Sequence, residues 1–158
     1  MTYTSDTAIK LKVVLLGDAS VGKTSIALRF AKNRFAETYC ATIAGSFCSR
    51  SLYISNKKVV FQLWDTAGTE RFRSIVPFYL RDADIALIIY DITDKSSFEN
   101  LHEWVRLLQE KGPDKITCAL VGNKSDLQEK CRVASQEAQR FGDAYNLYFL
   151  ETSAKTGD

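Results

Sequence analysis

One stretch near the start of the chain decides the fold: KLKVVLLGDASVGKTSIALRFA, residues 10–31. Its first part, Lys10 to Leu16, is short and mainly apolar, which predicts a strand buried in a sheet. Its last part, Lys23 to Ala31, consists mainly of good helix formers and predicts a helix. The stretch therefore predicts a strand, a glycine-containing loop and a helix in direct succession.

The loop between that strand and helix, GDASVGKT at residues 17–24, matches the pattern G-x-x-x-x-G-K-[ST]. Its glycines let the backbone close around phosphate oxygens, and its N–H groups lead into the positive end of a helix dipole. In this pattern Lys23 reaches the β- and γ-phosphates and the Thr24 hydroxyl ligates Mg²⁺. The pattern predicts a nucleotide-phosphate site formed by Asp18, Ala19, Ser20, Val21, Gly22, Lys23, Thr24 and Ser25.

The rest of the chain continues the alternation of strands and helices. The patterns predict strands at Ser46–Ile54, Val59–Trp64, Ile85–Tyr90, Thr117–Val121 and Leu147–Leu150, and helices at Phe98–Glu110 and Ala134–Tyr145. The polar tetrad Ser55–Lys58 predicts a hairpin turn between the first two of these strands. The alternation is typical of an α/β domain with a mostly parallel sheet covered on both faces, in which ligands bind at the carboxyl ends of the strands.

Size and composition are those of one globular domain. The chain has 158 residues, of which 46% are hydrophobic and 25% charged, and this excludes a largely disordered protein. Its net charge of +2 favours neither a nucleic acid nor a membrane surface as partner. No apolar run is long enough to span a bilayer, and residues 1–9 lack the apolar core of a secretory signal.

The four cysteines, Cys40, Cys48, Cys118 and Cys131, form no C-x-x-C pair, and His102 is the single histidine. This composition argues against a zinc site. A chain of this length can also build its own core without a disulfide framework. We therefore expect free thiols in a reducing cytosol.

A second motif, Asn123-Lys124-Ser125-Asp126, follows the predicted strand Thr117–Val121. A carboxylate in the plane of a purine can accept from the N1–H and N2–H₂ groups of guanine, and adenine lacks this donor pair. Sites that hydrogen-bond a polar edge in this way discriminate by about 10⁴ or more. Asp126 therefore predicts a preference for guanine, and the loop Glu151–Lys155 supplies a backbone that could touch the base.

Together with Trp64-Asp65-Thr66-Ala67-Gly68, these motifs resemble in content and order those of the small GTPases of the Ras superfamily. The segments WDTAGTERFRSI at 64–75 and YDIT at 90–93 are most similar to the Rab family, and residues 43–47 and 137–139 to its early-endosomal subgroup. The resemblance implies a three-layer P-loop G domain, with a mostly parallel six-stranded sheet and one antiparallel edge hairpin. It also implies GTP hydrolysis, with GTP or GDP as the bound nucleotide and Mg²⁺ as cofactor.

The resemblance assigns roles to individual positions. Mg²⁺ would be held by Thr24, Thr42 and, through water, Asp65. Hydrolysis would depend on the set Lys23, Thr42, Gly68 and Thr69, in which the N–H groups of Thr42 and Gly68 contact the γ-phosphate. The nucleotide would also lie against Phe35 and Lys124, within reach of Asn123, Asp126, Ser153, Ala154 and Lys155.

By the same resemblance, two switch regions would reorder when GTP replaces GDP. The expected partners are a GTPase-activating protein, a guanine-nucleotide exchange factor, and effectors that bind the switch regions and the aromatic residues Phe47, Trp64 and Tyr79. Packing alone is the alternative interpretation of these three aromatic residues. The implied place is the cytoplasm, at endomembranes if the full-length protein is lipidated; we expect no nucleic-acid partner, and no membrane anchor in this chain.

Thr69 departs from the family pattern, in which a glutamine orients the attacking water. Threonine is too short to reach the water in the same way, which predicts slow intrinsic hydrolysis until an activating protein helps. Ala19, near the γ-phosphate, residues 44–46 and Asp82 depart from the usual Rab residues as well. Thr69 and Ala19 leave open an alternative, a GTP-holding scaffold with negligible hydrolysis, whereas the loop 123–126 argues against an ATP-using P-loop enzyme.

Small GTPases continue after the loop at Ser153–Lys155 with a long amphipathic helix on the sheet, whereas this chain stops at Asp158. The expected domain organisation is a flexible leader at residues 1–9 and a G domain at residues 10–158 that lacks its last helix. One face of the sheet would then be left open.

Four residues outside the motifs carry simpler expectations. His102 is expected to be solvated on a helix, and Trp104 in the same helix to pack or to form a surface contact rather than to bind a ligand. Lys10 and Lys12 flank the first strand and are expected to lie at a solvated edge.

Overall fold

The first strand lies in the middle of a mixed sheet. The computed structural model describes residues 7–37, 46–66 and 70–158. The strands in these ranges are β1 Ile9–Leu16, β2 Ser46–Ile54, β3 Lys57–Asp65, β4 Ile85–Asp91, β5 Thr117–Asn123 and β6 Tyr148–Glu151. They form one six-stranded sheet in the order β2-β3-β1-β4-β5-β6, and its single antiparallel pair is β2 with β3. The predicted α/β architecture is confirmed.

The helices of the described ranges are α1 Lys23–Lys32, α2 Val76–Leu80, α3 Lys95–Glu99, α4 Leu101–Lys111 and α5 Ser135–Ala144, with 3₁₀ segments at Glu70–Ile75 and Ser125–Lys130. The predictions for α1 and α5 are correct to within one residue at each end. Neither α2 nor the 3₁₀ segments were predicted, because five or six residues are too few to display a helical period. Within the described part of the chain, no helix combines the length and the apolar character needed to cross a bilayer.

The prediction of one helix at Phe98–Glu110 is wrong, because two short helices meet at Asn100. The first of them, α3, also starts earlier than predicted, where the Asp94 side chain caps it by accepting from the backbone N–H of Ser96 at 3.0 Å. Asn100 has nearly helical backbone angles, with φ −72° and ψ −6°. The apolar spacing therefore continues across the junction and conceals it.

The hairpin between β2 and β3 is tighter than the predicted tetrad. Ser55 and Asn56 alone form the turn, with φ of 49° and 63°. Lys57 and Lys58 already belong to β3. Two consecutive residues in the left-handed region give a turn whose twist matches that of the paired strands, so two residues suffice.

Helices cover both faces of the sheet around β1. Val14 and Leu16 belong to the larger core cluster, which includes Trp104 of α4. Val13 and Leu15 point the other way and pack with Ala27 of α1. All four strand residues are buried, which explains why this strand is apolar on both sides.

Lys12 does not lie at a solvated edge, because β1 is an inner strand paired with both β3 and β4. Its Nζ donates to the carbonyl of Arg81 at 2.6 Å and lies 5.0 Å from the centroid of the Trp64 ring. Burial lowers the pKa of this amine, although Asp82 and Asp84 act to raise it. The expectation was wrong for Lys12, whereas Lys10 is exposed.

Candidate nucleotide-binding site

The carboxyl ends of four strands bring the sequence motifs to one edge of the sheet. The glycine-containing loop follows β1, Asp65 ends β3, Asn123 ends β5, and residues 152–155 follow β6. The strands β3, β1, β4, β5 and β6 run parallel to one another, so their carboxyl ends meet at the same edge of the sheet. This is the edge at which the fold was predicted to bind its ligand.

Lys23 closes the glycine-containing loop from inside. The residue is only 5% exposed, and its Nζ donates to the carbonyls of Gly17 at 2.8 Å and Asp18 at 2.7 Å. Burial lowers the pKa of the amine to about 8, although the carboxylates of Asp65 and Asp18 act to raise it. A lysine held out of water in this way is a strong partner for an anion at the loop.

Gly22 permits a close approach that no other residue would allow. It has a φ of +97°, and a Cβ at this position would lie 2.2 Å from Nδ2 of Asn123. Gly17, with φ of +144°, would place a Cβ 2.2 Å from the carbonyl oxygen of Ile89. Both glycines are thus required by the packing of the loop as well as by its backbone angles.

Thr24 and Asp65 form an oxygen pair beside this loop. The Thr24 hydroxyl donates to Oδ2 of Asp65 at 2.5 Å, and Ser46 donates to the same oxygen at 3.3 Å. Asp65 is 1% exposed, and its buried Oδ1 has no hydrogen-bond partner among the residues that the structure describes. Burial raises the pKa of this carboxyl, whereas the Thr24 hydrogen bond and the charge of Lys23 act to lower it. Hard oxygen donors with an unused buried oxygen fit Mg²⁺.

Asn123 joins the two predicted motifs. Its Nδ2 donates to the carbonyl of Val21 at 2.9 Å, and its Oδ1 accepts from the backbone N–H of Ala154 at 3.3 Å. The residue is 1% exposed. One buried amide therefore holds the phosphate loop and the loop after β6 at fixed positions relative to each other.

The other two residues of the second motif have different surroundings. Lys124 donates to the carbonyl of Ser20 at 3.0 Å and pairs with Asp91, whose Oδ2 lies 2.6 Å from its Nζ. Asp126 is exposed, and its Oδ1 accepts from the hydroxyl of Ser153 at 2.6 Å. The sequence analysis missed Asp91, although its place at the end of a buried apolar run could have indicated it.

Asp18 offers its backbone carbonyl to Lys23 and its side chain to other partners. Its carboxylate accepts from Nε1 of Trp104 at 2.7 Å and from Nδ2 of Asn100 at 2.6 Å, and a guanidinium nitrogen of Arg73 lies 3.7 Å away. The Arg73 guanidinium also lies 4.8 Å from the centroid of the Trp104 ring. Trp104 is 1% exposed, so the expected packing role is confirmed, and it also anchors the phosphate loop to α4.

Arg29 of α1 contacts the loop after β6. Its Nε donates to the carbonyl of Ala154 at 2.8 Å, and its Nη2 to the carbonyl of Lys155 at 2.7 Å. Nothing in the sequence distinguishes this arginine from others on helices, so the sequence analysis missed it.

Phe47, Trp64 and Tyr79 form a continuous aromatic row on β2, β3 and α2. The ring centroids of Phe47 and Trp64 are 5.0 Å apart, and those of Trp64 and Tyr79 are 5.8 Å apart. Phe47 is 51% exposed, and the other two rings are half-buried. The row thus combines packing with an accessible apolar surface.

The remaining predicted positions are placed only in part. Thr42, Gly68 and Thr69 lie outside the described residues, as do Cys40 and residues 44–45. Phe35 is half-buried in the segment after α1, and Ser25 is half-buried within α1. His102 is exposed as expected, and its Nδ1 lies 3.0 Å from the hydroxyl oxygen of Tyr145.

The sequence is similar to those of known proteins over nearly its full length. The profile of the Ras family matches residues 12–158. The chain is 43% identical over 156 residues to the Ras-related protein RABF2b of Arabidopsis thaliana, which covers 99% of this chain and 78% of that protein. The Ras-related proteins RHN1 of Nicotiana plumbaginifolia and RABF2a of Arabidopsis thaliana match with the same identity and the same coverage.

Proposed function

This chain belongs to the Ras family of small GTPases, and we propose that it acts as a Rab-like GTP/GDP switch in vesicle trafficking that hydrolyses GTP slowly. The observation that carries the proposal is the bridge formed by Asn123, which joins the phosphate loop to the loop after β6. A site that holds these two loops at fixed relative positions is suited to a ligand with phosphates at one end and a base at the other. GTP and GDP have that shape.

Within this proposal each loop has its own task. Lys23 and the N–H groups of residues 18–25 bind the phosphates, and Lys124 and Phe35 lie against the faces of the guanine. Asp126 accepts from the edge of the base that carries two donors, while Ser153 holds the carboxylate in orientation at 2.6 Å. Ala154 and Lys155 belong to the loop after β6, whose backbone would contact the base.

Thr24 and Asp65 would hold Mg²⁺, together with Thr42 by family resemblance. The ion supplies charge neutralisation on the phosphates. The fit rests on Oδ1 of Asp65, which is buried beside the Thr24 hydroxyl and has no hydrogen-bond partner within residues 7–37, 46–66 and 70–158. Gly68 and Thr42 would complete the γ-phosphate contacts through their backbone N–H groups.

The slow rate follows from Thr69, which stands where relatives use a glutamine to orient water. Catalysis in this class is mainly positioning and charge stabilisation, so the loss of one positioning group leaves binding intact and lowers turnover. Activating proteins would then supply the missing group, and exchange factors would reload the switch. Effectors at endomembranes would read the surface around Phe47, Trp64 and Tyr79, which is apolar and partly exposed.

Replacement of Thr69 by Gln tests this part of the proposal. We expect Thr69→Gln to speed single-turnover GTP hydrolysis by about tenfold to a hundredfold, because misplaced reactants cost up to about 10² in rate. The measurement is the release of inorganic phosphate from GTP-loaded protein with Mg²⁺. Thr69→Ala serves as control and should hydrolyse as slowly as the unchanged protein. A fast unchanged protein would overturn the assignment of Thr69, and no turnover in any variant would favour the GTP-holding scaffold.

A further inference from the structure

We propose that Arg29 is a positioning residue for guanine recognition, which holds the loop at Ser153–Lys155 in the orientation that Asp126 needs. The inference rests on the proposed guanine-nucleotide site and adds to it a residue that no nucleotide-binding motif contains. Arg29 contacts the backbone of this loop and is not among the groups proposed to bind the nucleotide.

The guanidinium of Arg29 forms two hydrogen bonds with the backbone of the loop at Ser153–Lys155. Nε and Nη2 donate to the carbonyls of two consecutive residues, Ala154 at 2.8 Å and Lys155 at 2.7 Å. Hydrogen bonds from a charged donor are stronger than neutral ones, and two from one planar group fix direction as well as distance. These two hydrogen bonds therefore restrain both the position and the orientation of the backbone at Ala154 and Lys155.

The guanidinium is itself held in place by the end of its own helix. Its Nη1 donates to Oδ1 of Asn33 at 3.0 Å. Asn33 caps α1 in the left-handed region, with φ 52°, and its backbone N–H donates to the carbonyl of Arg29 at 2.9 Å. Arg29 is thus oriented before any ligand binds, which removes part of the entropic cost of ordering it.

The residues of the second motif, Asn123 and Asp126, form hydrogen bonds with the same loop whose carbonyls Arg29 binds. The N–H of Ala154 donates to Oδ1 of Asn123, and the hydroxyl of Ser153 donates to Oδ1 of Asp126 at 2.6 Å. A shift of Ala154 and Lys155 would carry Ser153 with it and release the Asp126 carboxylate. Because Asp126 is the group expected to accept from the 2-amino group of guanine, the shift would weaken recognition of that amino group.

A lysine could not replace this arginine. All donors of an ammonium radiate from one nitrogen, whereas the three nitrogens of the guanidinium fork each reach a different acceptor, the carbonyls of Ala154 and Lys155 and Oδ1 of Asn33. This difference separates a positioning role from a simple requirement for positive charge.

The test compares nucleotide release from the unchanged protein and from Arg29→Ala, Arg29→Lys and Arg50→Ala, each loaded with a fluorescent GDP in the presence of Mg²⁺. We expect Arg29→Ala to release GDP about tenfold faster or more, because charge-assisted hydrogen bonds contribute that much to affinity. Arg29→Lys should recover little of the loss. Arg50→Ala is the matched control: its guanidinium likewise donates to a backbone carbonyl, that of Phe30 in α1 at 2.8 Å, and within the described residues it forms no hydrogen bond with the loop after β6. It should stay within about twofold of the unchanged protein.

A second readout separates positioning from general loosening. Inosine diphosphate lacks the 2-amino group, so a weakened Asp126 contact should cost GDP more than it costs IDP. We expect the GDP-over-IDP preference to fall about threefold or more in Arg29→Ala and to remain unchanged in Arg50→Ala. Equal losses for both nucleotides, or unchanged release of GDP, would overturn the role of Arg29.

Two further observations keep the outcomes distinct. If the unchanged protein fails to prefer GDP over ADP, the proposed function fails before Arg29 is tested. If Arg29→Ala does not fold, Asn33→Gly removes the support of the guanidinium while allowing the positive φ of that residue. This milder variant should release GDP about threefold faster with the same drop in preference over IDP, and an unchanged preference would overturn the inference.

Discussion

Asp126→Asn is expected to lower the affinity for GDP by about 10³ to 10⁴ and to create affinity for xanthosine diphosphate (XDP). An asparagine keeps one acceptor for N1–H, but its amide N–H₂ faces the 2-amino group of guanine, donor against donor. Xanthine carries an oxygen at this position, so the same amide donates to it. Competition of GDP and XDP for protein loaded with a fluorescent guanine nucleotide measures both changes.

The control for this substitution is Glu129→Gln. Glu129 is exposed in the same 3₁₀ segment, Ser125–Lys130, so its replacement removes one negative charge without altering the base-reading group. Its affinities for GDP and XDP should match those of the unchanged protein. Retention of the guanine preference by Asp126→Asn would show that another group reads the base.

Gly22→Ala is expected to lower nucleotide affinity by about 10² or more and to destabilise the fold by about 3 kcal/mol. An added Cβ would lie 2.2 Å from Nδ2 of Asn123, in a backbone with φ of +97° that alanine rarely adopts. Asn123 would have to move and would lose its hydrogen bonds to Val21 and Ala154. The phosphate loop and the loop after β6 would then no longer be held together. Isothermal titration with GDP and chemical unfolding measure the two effects.

Gly157→Ala is the matched control for Gly22→Ala. Gly157 has nearly the same backbone angle, φ +91°, but the nearest atom to an added Cβ there is Cδ of Arg29 at 3.7 Å. We expect this variant to lose about 1 kcal/mol through backbone strain alone and to keep most of its affinity for GDP. Similar losses of affinity in both variants would mean that strain, and not the displacement of Asn123, disables the site.

The motifs could be predicted because each carries its chemistry within a few consecutive residues. Gly22, Lys23 and Thr24 stand next to one another, and the strand and helix around them identify the loop. The bridge formed by Asn123 could not be predicted, since it depends on how β1 and β5 place their ends. Its contact with Val21 joins residues that are far apart in the chain and carry no shared pattern.

Tertiary contacts also explain what the sequence analysis missed or misplaced. Arg29 and Trp104 hold the site through partners from other elements, so their residue types alone gave no indication of that role. Lys12 was placed at an edge because a flanking lysine is usually solvated, but the strand order puts β1 between two others. The division of one predicted helix at Asn100 was hidden by a backbone that is nearly helical there.

The most direct measurement is the competition of GTP and ATP for the protein loaded with fluorescent GDP in the presence of Mg²⁺. A guanine-reading site held together by Asn123 and Asp126 predicts that GTP displaces the probe near stoichiometric concentration. ATP should fail to displace it even at about a thousandfold excess, because adenine leaves the Asp126 carboxylate without its two donors. Displacement by ATP at concentrations similar to those of GTP would contradict the proposed guanine site.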